Sequence, residues 1–405
     1  MSPDPEAGRT ADLSATASAA SRPGDRAALV YWMPIPYPNS KAHSIQVTRT
    51  VHALSARRDV HLVVQKRTRT RPWREEVREA YGVEPSPHFH LHEVPAAWLH
   101  EPLVPFALRS VCRSIPGPQV FYARRYPMAS ALLRTRRLHG RPIVFESHKK
   151  DGFHKEDRVP DSPFAGQRAA LEARNHSFRL MRRVYTQADC VAFLHEHSLA
   201  AAQARLPLRR AVPLWYGVDT QRLALGGERP KPFVFCGSLG ERKLFDLLPE
   251  ALLRARSGAG VDVFGGAPAE IERWRARAAA LGLGRRLRFL GRVPYREMRQ
   301  RLREYRYGIL TMEGLKVVDY LENGVIPVLP RVPSFSELFP EDDVAFYQPD
   351  DAASLARSID ARLERPFDNA ALARVARRHS LAQRVATLET LVDSLQPVDA
   401  GPGTI

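Results

Sequence analysis

Two stretches in the second half of the chain gather glycine, cations and a carboxylate at spacings that suit an anionic, hydroxyl-bearing ligand. In Cys236-Gly-Ser-Leu-Gly-Glu-Arg-Lys243, Gly237 and Gly240 allow close backbone approach and Ser238 offers a hydroxyl. Arg242 and Lys243 add positive charge, so the loop reads as a diphosphate cradle or as a plain turn with exposed basic residues. In Glu313-Gly-Leu-Lys-Val-Val-Asp-Tyr-Leu-Glu-Asn-Gly324, Lys316 and Asp319 stand three residues apart on one helix face. Lys316 there could meet an anion and Asp319 could accept from a diol; the plainer reading is a surface ion pair. Glu322 is expected to face solvent on either reading.

Further candidates lie in the first half, where polar residues follow apolar runs. His148 ends Val144-Phe-Glu-Ser-His148, and Arg124 and Arg125 follow Val120-Phe-Tyr-Ala123. Ser40 and Lys41, with His43 close behind, occupy the loop after the first apolar run, while His195 and His197 are weaker candidates. A serine-hydrolase elbow, a Walker loop, a GxGxxG fingerprint and metal-ligand spacings are all missing from the sequence. Cys112, Cys190 and Cys236 are widely separated, which fits buried thiols in a reducing compartment.

These positions need rigid elements behind them. Short apolar runs alternate with amphipathic stretches throughout, the pattern of parallel strands joined by helices. Strands are expected at Ala28–Met33, Val60–Val64, Pro142–Glu146 and Cys190–Leu194, and again at Phe233–Cys236, Val261–Phe264, Leu287–Leu290 and Tyr307–Leu310. Pro268 should open one helix that Gly282 stops. Pro294 should open another, carrying Tyr295, Met298, Leu302 and Tyr305 on one side, while Pro249 should kink or delay the helix after the glycine loop. The fold class is therefore α/β, with two Rossmann-like doubly wound domains facing a cleft, where ligands meet the carboxyl ends of strands. The expected divisions are a tail at 1–26, domains at 27–222 and 228–372, a helical segment at 373–396 returning to the first domain, and a tail at 397–405.

A formal charge of +17 over 405 residues favours anionic partners. No nucleic-acid motif accompanies it, and no apolar run reaches the ~18 residues of a spanning helix. Pro72 to Arg113 mixes Trp73, Trp98 and Phe106 with arginines, which suits contact with an anionic membrane.

With these motifs in order, residues 233 to 346 resemble the donor domain of family 4 retaining glycosyltransferases, whose fold is GT-B. Gly237–Lys243 resembles the family's G-[RS]-L-x-x-x-K loop, and Val261-Asp-Val-Phe-Gly-Gly266 its strand ending in glycines, among them Gly265. Glu313 to Val328 is similar to its S-P-x-K-x-x-E-Y-x-A-x-G-x-P-V signature, and Ser336-Glu-Leu338 to its "x-E-L". The first half matches more loosely, through Ser40–Gln46, Val144–His148 and Trp215-Tyr-Gly-Val-Asp219.

The resemblance implies that Lys243 and Lys316 bind the donor diphosphate beside Gly237, Ser238, Arg242, Gly265 and Val317. It also implies that Asp319 holds the ribose and that His148 meets the transferred sugar. Ser40, Lys41, His43 and Arg124 would then serve the acceptor. Thr311 stands where the family's first glutamate is expected, with Glu313 two residues late. The implied activity is transfer of a hexose or related sugar, with retention, from a nucleotide-diphosphate donor to a hydroxyl of a glycan, a lipid-linked or a small-molecule acceptor. No metal and no separate cofactor are expected, and the location is cytoplasmic, with peripheral contact at the inner face of the membrane. An epimerase or phosphorylase on the same fold, or a non-catalytic scaffold, are the alternatives.

Overall fold

The structure, a computed structural model, describes residues 26–39, 41–148, 176–240 and 244–395. Two parallel sheets organise it. The first contains β1 (Ala28–Pro36), β2 (Val60–Gln65), β3 (Phe89–Val94), β4 (Gln119–Ala123), β5 (Ile143–Ser147), β6 (Cys190–Phe193) and β7 (Ala211–Pro213). Their spatial order is β3-β2-β1-β4-β5-β6-β7, every pair parallel. The second holds β8 (Lys231–Cys236), β9 (Val261–Phe264), β10 (Leu287–Gly291), β11 (Tyr305–Ile309), β12 (Ile326–Pro330) and β13 (Ala345–Tyr347). It runs β10-β9-β8-β11-β12-β13, also parallel throughout. In each sheet the chain starts at the middle, winds one way, then crosses back, leaving a crevice between β1 and β4 and another between β8 and β11. This is the doubly wound pair that the alternating pattern predicts.

The central strands read as unbroken apolar runs because helices cover both their faces. Val30, Trp32, Phe121 and Phe145 fill one side of the first sheet, and Leu29, Tyr31, Val60, Leu62, Val64 and Tyr122 the other. A separate core, from Val218 to Ala376, fills the second domain. The carboxy-terminal helix Leu381–Ser394 packs on the first domain, its Val385, Leu388, Leu391 and Val392 lying in that domain's core.

One local expectation changes, one strand goes unannounced, and one open choice is resolved. Tyr305 is not on the helix that Pro294 opens: that helix is Tyr295–Leu302, and Tyr305 already pairs with Lys231 in β11. Apolar spacing runs straight across the turn at Arg303 and Glu304 because both elements bury residues on the same core. The edge strand β3, Phe-His-Leu-His-Glu-Val, has too little apolar character to stand out. Pro249 sits in the first turn of the helix Leu247–Arg254, where its missing N–H has no intrahelical partner to lose, so the helix begins late rather than kinking.

Candidate functional site

A cavity of about 840 Å³ opens where the carboxyl ends of β8, β9 and β11 converge, at the crevice in the second sheet. Its walls are mostly apolar, with Phe235, Phe264, Ile309 and Met312 among them. Lys41, Ala42 and Ile45 close it from the first domain. Among the described residues its charged lining is Lys41, Arg292, Lys316 and Glu313. Of the sequence candidates, Gly237, Ser238, Gly265, Lys316 and Lys41 line this space. Arg292 joins them without having been singled out; its place directly after β10 was the available signal.

Backbone packing explains the glycines. A Cβ on Gly265, whose φ is +112°, would lie 2.0 Å from the Gly237 carbonyl oxygen. The two loops therefore touch backbone to backbone, which opens peptide groups to the cavity. Ser40, Arg242 and Lys243 lie outside the described residues.

The Lys316–Asp319 pair forms, with its carboxylate buried and its half-buried ammonium at the cavity wall rather than both on the outer surface. Lys316 Nζ donates to Asp319 Oδ2 at 2.8 Å, and Tyr295 Oη donates to Oδ1 at 2.7 Å. Burial alone would raise the Asp319 pKa, yet the Lys316 charge and these two hydrogen bonds hold it below the usual carboxylate range. Asp319 is 1% exposed and Val317 is equally buried, and neither lines the cavity. Both carboxylate oxygens already have donors, so a diol at this carboxylate would have to compete with Tyr295 and Lys316.

The first-domain candidates gather around Glu146, at the end of β5. Glu146 is fully buried and receives Arg384 Nη2 at 2.7 Å, His148 Nε2 at 2.7 Å and the Tyr122 hydroxyl. Arg124 Nε stands 3.7 Å away. Burial opposes ionisation, but the charges of Arg384 and Arg124 override it and hold the Glu146 carboxyl well below its ordinary range. Arg124 also donates to His148 Nδ1 at 3.0 Å. A guanidinium has no lone pair to offer, so Nδ1 is the acceptor and His148 is neutral, with its proton on Nε2. Burial, then the Arg124 charge, lowers its pKa to about 4. Burial likewise lowers His43 to about 3, with Arg124 and His148 adding to the effect. His148, Arg124 and His43 thus form one cluster, and both ring nitrogens of His148 already have partners.

Two further carboxylates join the domains. Glu322 does not face solvent: it is fully buried, bonded by Arg49 of the first domain and 3.1 Å from Arg299. Its Oε1 also accepts the Asp219 backbone N–H at 2.9 Å. The short helix Lys316–Glu322 turns this residue toward the other domain, which a lone sequence cannot disclose. Glu337 reaches the loop after β6, where His195 and His197 each place Nδ1 3.1 Å from one of its oxygens.

Residues 242–390 match the family model described as glycosyl transferase-like. Among curated proteins, none matches the sequence. Anabaena HepE in complex with UDP superposes with a TM-score of 0.67 at 14% identity, covering 91% of this chain and 100% of that one. Sucrose-phosphate synthase from Thermosynechococcus elongatus gives a TM-score of 0.70 at 16% identity, over 91% and 99%. A glycosyltransferase from Rickettsia africae gives 0.67 at 10% identity, over 92% and 99%. The class is thereby defined: this chain has the two-domain GT-B fold. Within it, residues 242–390 are similar to the glycosyl transferase-like family model.

Proposed function

We propose that the protein is a glycosyltransferase that moves a hexose or related sugar from a nucleotide diphosphate to a hydroxyl acceptor, with retention. The observation that carries this reading is the cavity at the crevice of the second sheet, lined by the Gly237 and Gly265 backbones, Arg292 and Lys316, and faced by the first domain. Apolar walls suit a base, while the glycine loops and cations suit a diphosphate. The HepE structures with UDP and with UDP-glucose support a uridine nucleotide as the first donor to try.

In retention the acceptor oxygen arrives on the face that the diphosphate leaves, and the departing phosphate can take the acceptor's proton. The protein must then stabilise developing negative charge at the phosphate. We assign this task to Lys316 and Arg292, which line the cavity, and to Arg242 and Lys243. Asp319 reaches a ribose only by exchanging the Tyr295 or Lys316 bond for a sugar hydroxyl. His148 would meet the transferred sugar through its ring carbons or by releasing Arg124, and Ser40, Lys41, His43 and Arg124 would face the acceptor. No separate cofactor enters the scheme.

We place the protein in the cytoplasm, where its three buried free cysteines would remain reduced. Among the described residues no helix is long and apolar enough to cross a membrane. Trp98 and Phe106 pair at 6.0 Å between ring centroids, and Phe106 is 56% exposed beside the exposed Arg109 and Arg113, which supports peripheral contact with anionic lipid.

The test is calorimetric titration with UDP, UDP-glucose and other nucleoside diphosphates and their sugars, followed by product analysis with candidate acceptors. Lys316→Met should weaken diphosphate binding by about tenfold or more. A wild-type protein that binds no member of the panel would refute the reading.

A further inference from the structure

Histidine and carboxylate side chains meet at one more place, the junction of the two domains below β6 and β12. His195 connects β6 to the helix Glu196–Gln203, and His197 lies in the first turn of that helix. Glu337 follows the short helix Pro333–Ser336 of the second domain, 142 positions from His195 in sequence. The extended backbone of His195 puts the two imidazoles side by side, with centroids 5.4 Å apart. Each Nδ1 stands 3.1 Å from a different oxygen of Glu337. One donor atom from each of the three residues falls within 4.8 Å of the others.

We propose that His195, His197 and Glu337 bind a divalent transition-metal ion of the zinc class. Two imidazoles and one carboxylate form a borderline donor set that suits Zn²⁺ or Co²⁺ and disfavours Mg²⁺ and Ca²⁺, which want oxygen. Tetrahedral bonds of about 2.1 Å place neighbouring donor atoms about 3.4 Å apart. The two 3.1 Å separations would open by a few tenths of an ångström, and the wider spacing within the 4.8 Å group would close toward the same value.

The surroundings already orient these ligands. Glu337 Oε1 accepts the Glu196 backbone N–H at 3.2 Å, and Oε2 accepts that of His197 at 3.1 Å, fixing the plane of the carboxylate. His197 Nε2 lies 3.2 Å from Ser198 Oγ, which can accept a proton-bearing Nε2 and leave the Nδ1 lone pair to the metal. The His195 side chain is 8% exposed, while those of His197 and Glu337 are 25% and 22%. His197 and Glu337 are thus partly open to solvent.

Without metal the same groups make a hydrogen-bonded cluster, with protons on both Nδ1 atoms. A metal at Nδ1 takes the place of those protons, so each imidazole must carry its proton on Nε2 instead. The ion would fasten the first domain to the second. It would also hold the helix Pro333–Ser336, whose Ser334 hydroxyl bonds Glu313 in the wall of the main cavity. This proposal is independent of the sugar-transfer reading, because metal binding is measured without any nucleotide.

The experiment uses the full chain, free of affinity tag and stripped of metal. Zn²⁺ and Co²⁺ are each titrated alone by calorimetry, and the Co²⁺ complex is followed by its visible absorption. We expect one ion per chain and the intense absorption of low-coordinate Co²⁺. His197→Ala and Glu337→Gln should each weaken binding by more than the ~10–100-fold typical of an outer-shell change. Glu337→Gln keeps a carbonyl oxygen for the helix N–H groups, and His197→Ala leaves the carboxylate intact, so the two variants fail in different ways if either misfolds. No stoichiometric binding by the wild type, or equal binding by wild type and both variants, would overturn the proposal.

Discussion

Replacing Arg384 by methionine should destabilise the first domain far more than a helix-surface change. Arg384 stands on the carboxy-terminal helix, and its side chain is 3% exposed. It donates to Glu146 Oε2 at 2.7 Å and to the carbonyls of Leu214 and Trp215, both at 2.8 Å. Thr50 Oγ1 lies at 3.3 Å. Methionine fills much of the same volume, so the loss is mainly of charge and hydrogen bonds. Glu146 would keep Arg124, His148 and Tyr122 but lose its shortest cationic contact. Removing one partner of a buried ion pair costs about 3–5 kcal/mol. For a domain of this size, roughly 2–4 °C accompanies each kcal/mol, so Tm should fall by roughly 6–20 °C. Calorimetry on Arg384→Met, Glu146→Gln and the double variant measures both the loss and the coupling. The double variant should cost less than the sum of the singles by about 1–3 kcal/mol. A loss below about 1 kcal/mol, with single effects additive to within about 0.5 kcal/mol, would show that the pair does not hold this junction.

Two other outcomes are expected. His43 and His148 have pKa values lowered to about 3 and about 4, whereas an unfolded histidine titrates near 6.5. Between those values the unfolded chain binds more protons, so stability should be full above about pH 6.5 and decline as the pH falls toward 4. Urea midpoints across that range test the slope, which His148→Gln should reduce; an NMR titration of His148 near 6.5 would contradict the geometry. Gly324→Ala and Gly258→Ala form a matched pair, with φ of +68° and +66°. Each carries about 1–2 kcal/mol of left-handed strain. Only at Gly324 would the added Cβ collide, 1.9 Å from the Ala224 oxygen, and overpacking adds about 1–3 kcal/mol. Equal melting temperatures for the two variants would rule out that contact as a constraint.

Much of the architecture follows from local pattern. Apolar runs such as Val261–Phe264 are short, bounded by turn residues and rich in β-branched or aromatic side chains, so a buried strand is the economical reading. The loops after them identify positions near a ligand, because in a doubly wound sheet the carboxyl ends of strands face the crevice. Gly237, Gly265 and Lys316 were legible in this way, and the structure places all three on the cavity. Arg292 obeyed the same rule but lacked a motif to draw attention to it.

The sequence by itself determined the alternation of strands and helices, the two-domain plan and the glycine loops, because these depend on periodicity and backbone freedom within a few residues. Tertiary structure alone decided which charges meet. Glu322 reads as a solvent-facing helix residue until Arg49, 273 positions away, is brought against it. Asp319 reads as a diol acceptor or a surface partner of Lys316 until Tyr295 takes its second oxygen and the carboxylate is buried. Glu146 gains Arg384 only when the last helix returns to the first domain, 238 residues later. Burial and long-range pairing set the protonation and availability of a side chain, and neither is encoded in the spacing of its sequence neighbours.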